Sequence, residues 1–248
     1  MNHPASPVDA VILISADAEW RPVRERFPAY ACTRTPFGET FETEIIADHR
    51  RWRVVFLNGG WGKIAAAAST QYAIDRWRPS LLVNLGTCGG FAGDITAGTI
   101  ILADFTLVYD IIEQMGDPDE ARAWYATEPD LTFLGKPYPL PVRRELLLSA
   151  DRDILMDDID DLRARYGAAA ADWESGAIAF VAARNEVPCL ILRGVTDVVT
   201  SNGGEAYDNF SLFAERAGDI MNRLLDSLSG WLTIADLGEA ASSKEENK

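Results

Sequence analysis

Three acidic residues stand where an α/β chain places groups that face a ligand. Glu19 follows the apolar run VILIS, Glu174 opens the stretch ESGAIAFV, and Asp197 ends CLILRGVTD. Between the first two lies a glycine-rich stretch, LVNLGTCGGF at 82–91, which reads as a turn. Ligands of open α/β sheets bind beyond the carboxyl ends of the strands. Carboxylates at three strand-to-helix junctions or strand ends can therefore converge on one small polar ligand. The chain has two histidines, His3 and His49, and neither a CxxC nor an HExxH spacing. A metal site has no material here, and a histidine-dependent triad has little. Chemistry falls to carboxylates, which serve as general acids and bases, and nothing in it calls for a cofactor. The competing reading is that each acid merely caps a helix. Capping accounts for any one of the three more easily than for the set.

Such groups need strands to carry them. Runs 8–15, 40–47, 52–57 and 81–85 read as strands from their β-branched, apolar character. Further strands are expected at 99–103, 107–112, 145–149 and 189–193. Helices are expected at 19–26, 63–77, 157–166, 175–185 and 209–228. The last carries Phe213, Ala217, Ile220, Leu224 and Leu228 at helical spacing. Residues 113–141 have no clear period and read as a loop with a short helix. Alternating strands and helices imply a three-layer α/β/α sandwich. Gly59-Gly60-Trp61-Gly62-Lys63 is no phosphate loop: Ile64 follows the lysine where a Walker loop needs Ser or Thr. A tight turn packed against a pocket is the expected role.

A chain of 248 residues with 48% hydrophobic content can bury a large core. No linker divides it, so one domain is expected over 8–234, with 1–7 and 235–248 as flexible tails. The net charge of −15 argues against nucleic-acid and anionic-membrane partners, and solubility is its simple purpose. No apolar run approaches the roughly 20 residues of a membrane span. The N-terminus lacks the charged-then-apolar pattern of a signal peptide. Cys32, Cys88 and Cys189 are odd in number and far apart, as in reduced intracellular proteins. A cytoplasmic location is expected.

VNLGTCGGF, ADWESGAIAFVAARNEVP and LRGVTDVV, in that order, resemble the nucleoside phosphorylase/nucleosidase superfamily, and within it the 5'-methylthioadenosine/S-adenosylhomocysteine nucleosidase branch. The resemblance runs from about Val8 to Leu228 and implies a central mixed sheet. It implies cleavage of a purine N-glycosidic bond, with Asp197 as proton donor to purine N7. Glu19 would activate water, and Glu174 would hold the ribose hydroxyls and stabilise the sugar cation. Thr87, Cys88, Gly89, Asp153, Ile154, Trp173 and Thr196 would line the substrate site. A homodimer is implied, with 113–141 reaching a neighbour's pocket. Phosphorylases of the superfamily carry phosphate-gripping arginines where this chain has Asn84 and Glu19, which favours a hydrolase. Asn84 otherwise serves as a buried amide that satisfies backbone. Other departures bear on the substrate. Asp153 stands where the branch has a stacking phenylalanine, so it either accepts from base N–H groups or lies in solvent. Trp173 replaces a methionine and either stacks on the ribose or packs. The region 110–124 lacks the branch's His-Asp pair. A nucleosidase or phosphorylase for another base or 5'-group, such as futalosine, and a non-catalytic nucleoside-binding module stay open.

Overall fold

The computed structural model describes residues 6–200 and 203–238. In chain order the elements begin with β1 (Ala10–Ile14), α1 (Asp17–Arg26), β2 (Thr33–Arg34), β3 (Glu39–Ala47), β4 (Arg50–Asn58) and α2 (Lys63–Trp77). β5 (Leu81–Phe91), β6 (Ile100–Val108), α3 (Pro118–Trp124), β7 (Ala126–Thr127) and β8 (Arg143–Ser149) follow. α4 (Ile159–Tyr166), β9 (Ala170–Asp172), α5 (Ser175–Arg184), β10 (Cys189–Thr200), β11 (Gly203–Gly204) and α6 (Phe210–Thr233) complete the chain.

One mixed sheet runs β11-β10-β6-β8-β9-β5-β1-β4-β3-β2. Its central strands are apolar at nearly every position because both faces are covered. Side chains alternate across a strand, so Ile12, Ile14, Val83 and Leu85 join one core with Val23 of α1 and Leu224 and Leu228 of α6. Val11, Leu13 and Leu82 point the other way, to Ala66 and Ala73 of α2 and Ile178 of α5. That is the helix–sheet–helix layering, with helices on both faces. Truncating a fully buried leucine such as Leu13 to alanine costs about 2–5 kcal/mol in this kind of setting.

The sheet also folds back on itself, which the sequence did not disclose. β10 pairs with β5 in parallel and with β6 antiparallel, while β6, β8, β9 and β5 pair in succession. This circuit brings the ends of β5, β9 and β10 to one place.

Several expected boundaries change. The glycine stretch is no turn: β5 continues through it to Phe91, paired with β10 throughout. Its glycines make space instead. A Cβ on Gly86 would meet the Glu19 carboxylate at 2.9 Å, and one on Gly89 would meet Ile154 Cδ1 at 2.7 Å. The two strands expected at 99–103 and 107–112 are one, β6, with a register shift between Ala103 and Phe105 that mimics a break in the pattern. β10 runs seven residues beyond Arg193 to Thr200, so Asp197 lies within a strand rather than at its end. β9 was not foreseen, its AAD sequence having little strand propensity. Of the expected tails, 1–5 and 239–248 lie outside the described residues. The C-terminal segment is held at its start: Ala235 bridges Leu134, and the Asp236 amide donates to the Phe133 carbonyl at 2.8 Å.

Candidate active site

The convergent strand ends form a cavity of about 900 Å³, and all ten candidate residues line it: Glu19, Thr87, Cys88, Gly89, Asp153, Ile154, Trp173, Glu174, Thr196 and Asp197. Each of the three acids proves to be more than a cap. Glu19 occupies the third position of α1, where Oε2 accepts from the Ala16 amide at 3.2 Å, half of a capping box. Its other oxygen reaches across to β5, accepting from the Thr87 amide at 2.6 Å and the Thr87 hydroxyl at 2.8 Å. Glu174 precedes α5 but does not cap it. Asp172 does, accepting from the amides of Glu174 at 3.3 Å and Ser175 at 3.1 Å. That frees the Glu174 carboxylate to accept from the Gly62 amide at 2.9 Å. Gly62 has φ +85°, which a side chain rarely adopts, so the GGWGK loop aims this amide at the site.

Behind these acids lies a residue the sequence reading missed. Arg193 is fully buried and faces three carboxylates. Nε donates to Ser175 Oγ at 2.9 Å and lies 3.0 Å from Asp172 Oδ2. Nη2 donates to Asn84 Oδ1 at 2.9 Å and to Glu174 Oε2 at 3.4 Å, while Nη1 donates to the Thr87 carbonyl at 3.4 Å and sits 3.7 Å from Glu19. Asn84 completes the support by donating to the Leu13 carbonyl at 3.1 Å. It is thus a buried amide that satisfies β1 and also holds the guanidinium. A charged residue inside the apolar run CLILRGV was the available signal, because an arginine buries fully only when paired. Asp172, in ADWES, was missed as well.

Burial pushes the Glu174 carboxyl up to about 8; Arg193 pulls it back, and Asp172 and Glu19 add to the rise. Asp197 is wired differently. It sits at a register shift of β10 against β5, where the strand bends. Thr196 Oγ1 donates to Oδ1 at 3.3 Å, yet Oδ2 is buried and has no hydrogen-bond partner. Burial raises its pKa, and the Thr196 hydroxyl and Ala206 amide only partly offset this. Gly204 makes room for that oxygen, since a Cβ there would come within 2.5 Å of Oδ2.

The remaining candidates form walls. Ile154 is buried against Gly89, whereas Asp153 is exposed at the cavity's edge. Trp173 packs on Trp61 of the glycine loop, ring centroids 5.6 Å apart, and Trp61 keeps 67% of its surface exposed. Burial holds the Cys88 thiol neutral by raising its pKa. Among the described residues no group of three or more His, Cys, Asp and Glu side chains is arranged to hold a metal.

A mixed sheet closed on itself, with buried carboxylates around one arginine and a bare acid beside them, defines a site for acid–base chemistry on a small polar molecule. The chain belongs to the phosphorylase superfamily, whose sequence profile matches residues 10–229. Relatives include 5'-methylthioadenosine/S-adenosylhomocysteine nucleosidases. That of Oceanobacillus iheyensis is 27% identical over 168 residues, covering 63% of this chain and 73% of the relative. That of Bacillus subtilis is 25% identical over 200 residues, covering 72% and 84%. The fold matches that of solved nucleosidases from Streptococcus pneumoniae, with TM-score 0.70 at 20% identity over 92% of this chain and all of that one. It matches likewise the Campylobacter jejuni enzyme, with TM-score 0.72 at 17% identity over 90% and 99%.

Proposed function

We propose that this chain hydrolyses the N-glycosidic bond of a purine nucleoside of the 5'-methylthioadenosine/S-adenosylhomocysteine type, releasing adenine. The observation that carries this reading is the unpartnered, buried Oδ2 of Asp197 in the cavity that Glu19 and Glu174 also line. Burial that raises a carboxyl's pKa favours its protonated form, the form that can give a proton away. It gives that proton to purine N7 as the C1'–N9 bond breaks. Glu174, tied to Gly62 and Arg193, accepts from the ribose hydroxyls and, in its ionised form, stabilises the positive charge that builds on the sugar. Glu19 orients a water and takes its proton as the oxygen bonds to C1'. The division of labour parallels that of other glycosidic cleavages, one carboxyl as acid and another for water.

Arg193 favours water over phosphate as the acceptor. Each of its three nitrogens already has partners within the protein, so the guanidinium has little left to grip an anion. Turnover in phosphate-free buffer tests this. Adenine and the free sugar are expected, whereas dependence on phosphate with a sugar 1-phosphate product would make the enzyme a phosphorylase.

The reading extends to assembly and location. Ile112, Met115 and Trp124 are 78%, 97% and 59% exposed, which supports a homodimer with 113–141 beside the neighbour's pocket. Light scattering at micromolar concentration checks it, and a fully active monomer would rule it out. Three unpaired cysteines suit the cytoplasm, and among the described residues no helix is long and apolar enough to cross a membrane.

A further inference from the structure

The loop after β8 is pinned on both sides of one free carboxylate. Asp151 accepts from the Lys63 amide at 2.7 Å and pairs with the Lys63 ammonium at 3.4 Å. Arg152 pairs with Asp158 and lies over the Tyr109 ring, 5.4 Å from its centroid. Ile154 is buried against Gly89. Asp153, between them, lines the cavity and accepts no hydrogen bond from any described residue. The backbone carbonyl next to it already accepts one hydrogen bond, from the Tyr207 hydroxyl at 2.7 Å. Tyr207 also places Asp153 relative to Asp197. A Cβ on Gly204 would meet both Asp197 Oδ2, at 2.5 Å, and Tyr207 Cε1, at 2.6 Å, so the ring whose hydroxyl binds the residue after Asp153 lies beside Asp197. Asp197 Oδ2 is buried and bare, an independent sign that a donor-bearing ligand belongs there.

We propose that Asp153 is the base-selecting residue of this site, and that its carboxylate lets the pocket accept 2-amino-6-oxopurine nucleosides as well as 6-aminopurine ones. The inference rests on the nucleosidase reading and goes beyond it by fixing the range of bases. Every purine offers N7 to Asp197, so discrimination must come from the six-membered-ring edge. A carboxylate only accepts, and its two oxygens match two parallel N–H donors. The 2-amino-6-oxo edge presents N1–H and N2–H side by side. The 6-amino edge presents one N–H group beside an N1 lone pair, which a carboxylate oxygen repels. The exposure of Asp153 in the empty cavity is what a base would cover on binding.

The test uses three nucleosides that share a 5'-methylthio group and differ only in the base: 6-amino, 6-oxo and 2-amino-6-oxo purine. The full chain is expected to release all three bases. In Asp153→Ala the kcat/KM ratio of the 2-amino-6-oxo to the 6-amino nucleoside should fall about 10- to 100-fold, the scale of charge-assisted hydrogen bonds. Asp153→Asn, which keeps one acceptor, should recover part of that ratio. Thermal melts of each variant should match the parent, because Asp153 holds nothing within the fold. An unchanged ratio in Asp153→Ala, or a parent chain that cleaves the 6-amino nucleoside and ignores the 2-amino-6-oxo one, overturns the base assignment and leaves the nucleosidase reading standing. Release from none of the three overturns both.

Discussion

Two sets of buried carboxylates share this cavity and are wired in opposite ways. Glu19, Asp172 and Glu174 surround Arg193, and each also takes at least one backbone amide. Asp197, within the same walls, has only a weak Thr196 contact and the influence of the Ala206 amide, and its Oδ2 has no hydrogen-bond partner. The first arrangement fixes geometry around one cation, as the roles proposed for Glu19 and Glu174 require. The second leaves one carboxyl oxygen free for a ligand, and burial shifts its pKa upward, as the role of acid requires. Identical functional groups thus acquire different tasks from environment alone. The contrast extends to cost. A guanidinium and three carboxyl groups out of water are tolerable only while the network is complete, whereas Asp197 carries the cost of one unsatisfied buried oxygen, which a ligand's donor or acceptor can relieve.

The largest test of this contrast removes the proton. Asp197→Asn keeps shape and folding but should lower purine release about 10²- to 10⁴-fold, the usual worth of general acid catalysis. A nitrophenyl riboside, whose leaving group needs no proton, should be affected far less. Purine turnover close to normal would reduce Asp197 to a structural residue.

Breaking the other set should register first in stability. Arg193→Met leaves three carboxylates facing each other without a cation, and removing one partner of a buried pair costs about 3–5 kcal/mol. For a chain of this size that lowers Tm on the order of 10 °C. A melt indistinguishable from the parent would mean that the network is not coupled to folding.

Glu174→Gln sharpens the comparison in two readouts. It should slow the purine nucleoside and the nitrophenyl riboside alike, since both form the same sugar cation. It should also change the pH dependence of stability. The folded-state carboxyl, near 8, holds a proton that the unfolded chain releases near its ordinary value of 4.5. The folded state therefore binds more protons across that window, and stability falls as pH rises through it, levelling above about 8. Tm measured from pH 5 to 8 should flatten in Glu174→Gln, and an unaltered slope would assign the titration elsewhere.

The smallest effect concerns Thr196. Its hydroxyl contact lowers the Asp197 pKa, so Thr196→Val should raise it. Asp197 must be protonated to act, so the alkaline limb of kcat/KM should move to higher pH. A hydrogen bond of about 0.5–1.5 kcal/mol corresponds to a shift of up to about one pH unit. A shift to lower pH would show that the hydroxyl donates to the Cys88 carbonyl instead, which lies equally near at 3.3 Å.

Residue type and order by themselves determined that β1, the second half of β4, the first half of β5 and the start of β10 are buried on both faces, because their apolar runs leave no polar side to expose. They determined the amphipathic α6 and the dependence on carboxylates, since histidine and metal-ligand spacings are missing. They also brought forward Glu19, Glu174 and Asp197. Tertiary structure alone decided what those carboxylates are. Arg193 reads as one charge in an apolar run, and only pairing of β10 with β5 sets it among Asn84, Asp172 and Glu174. Glu174 is freed because Asp172 caps α5 in its place, a choice between two acids two residues apart that propensity cannot make. The bare oxygen of Asp197 depends on the absence of a side chain at Gly204, from a separate strand. Hydrophobic periodicity is local and survives in the sequence. Hydrogen-bond satisfaction and the field around an acid are sums over residues distant in the chain, and they exist only once the sheet has closed.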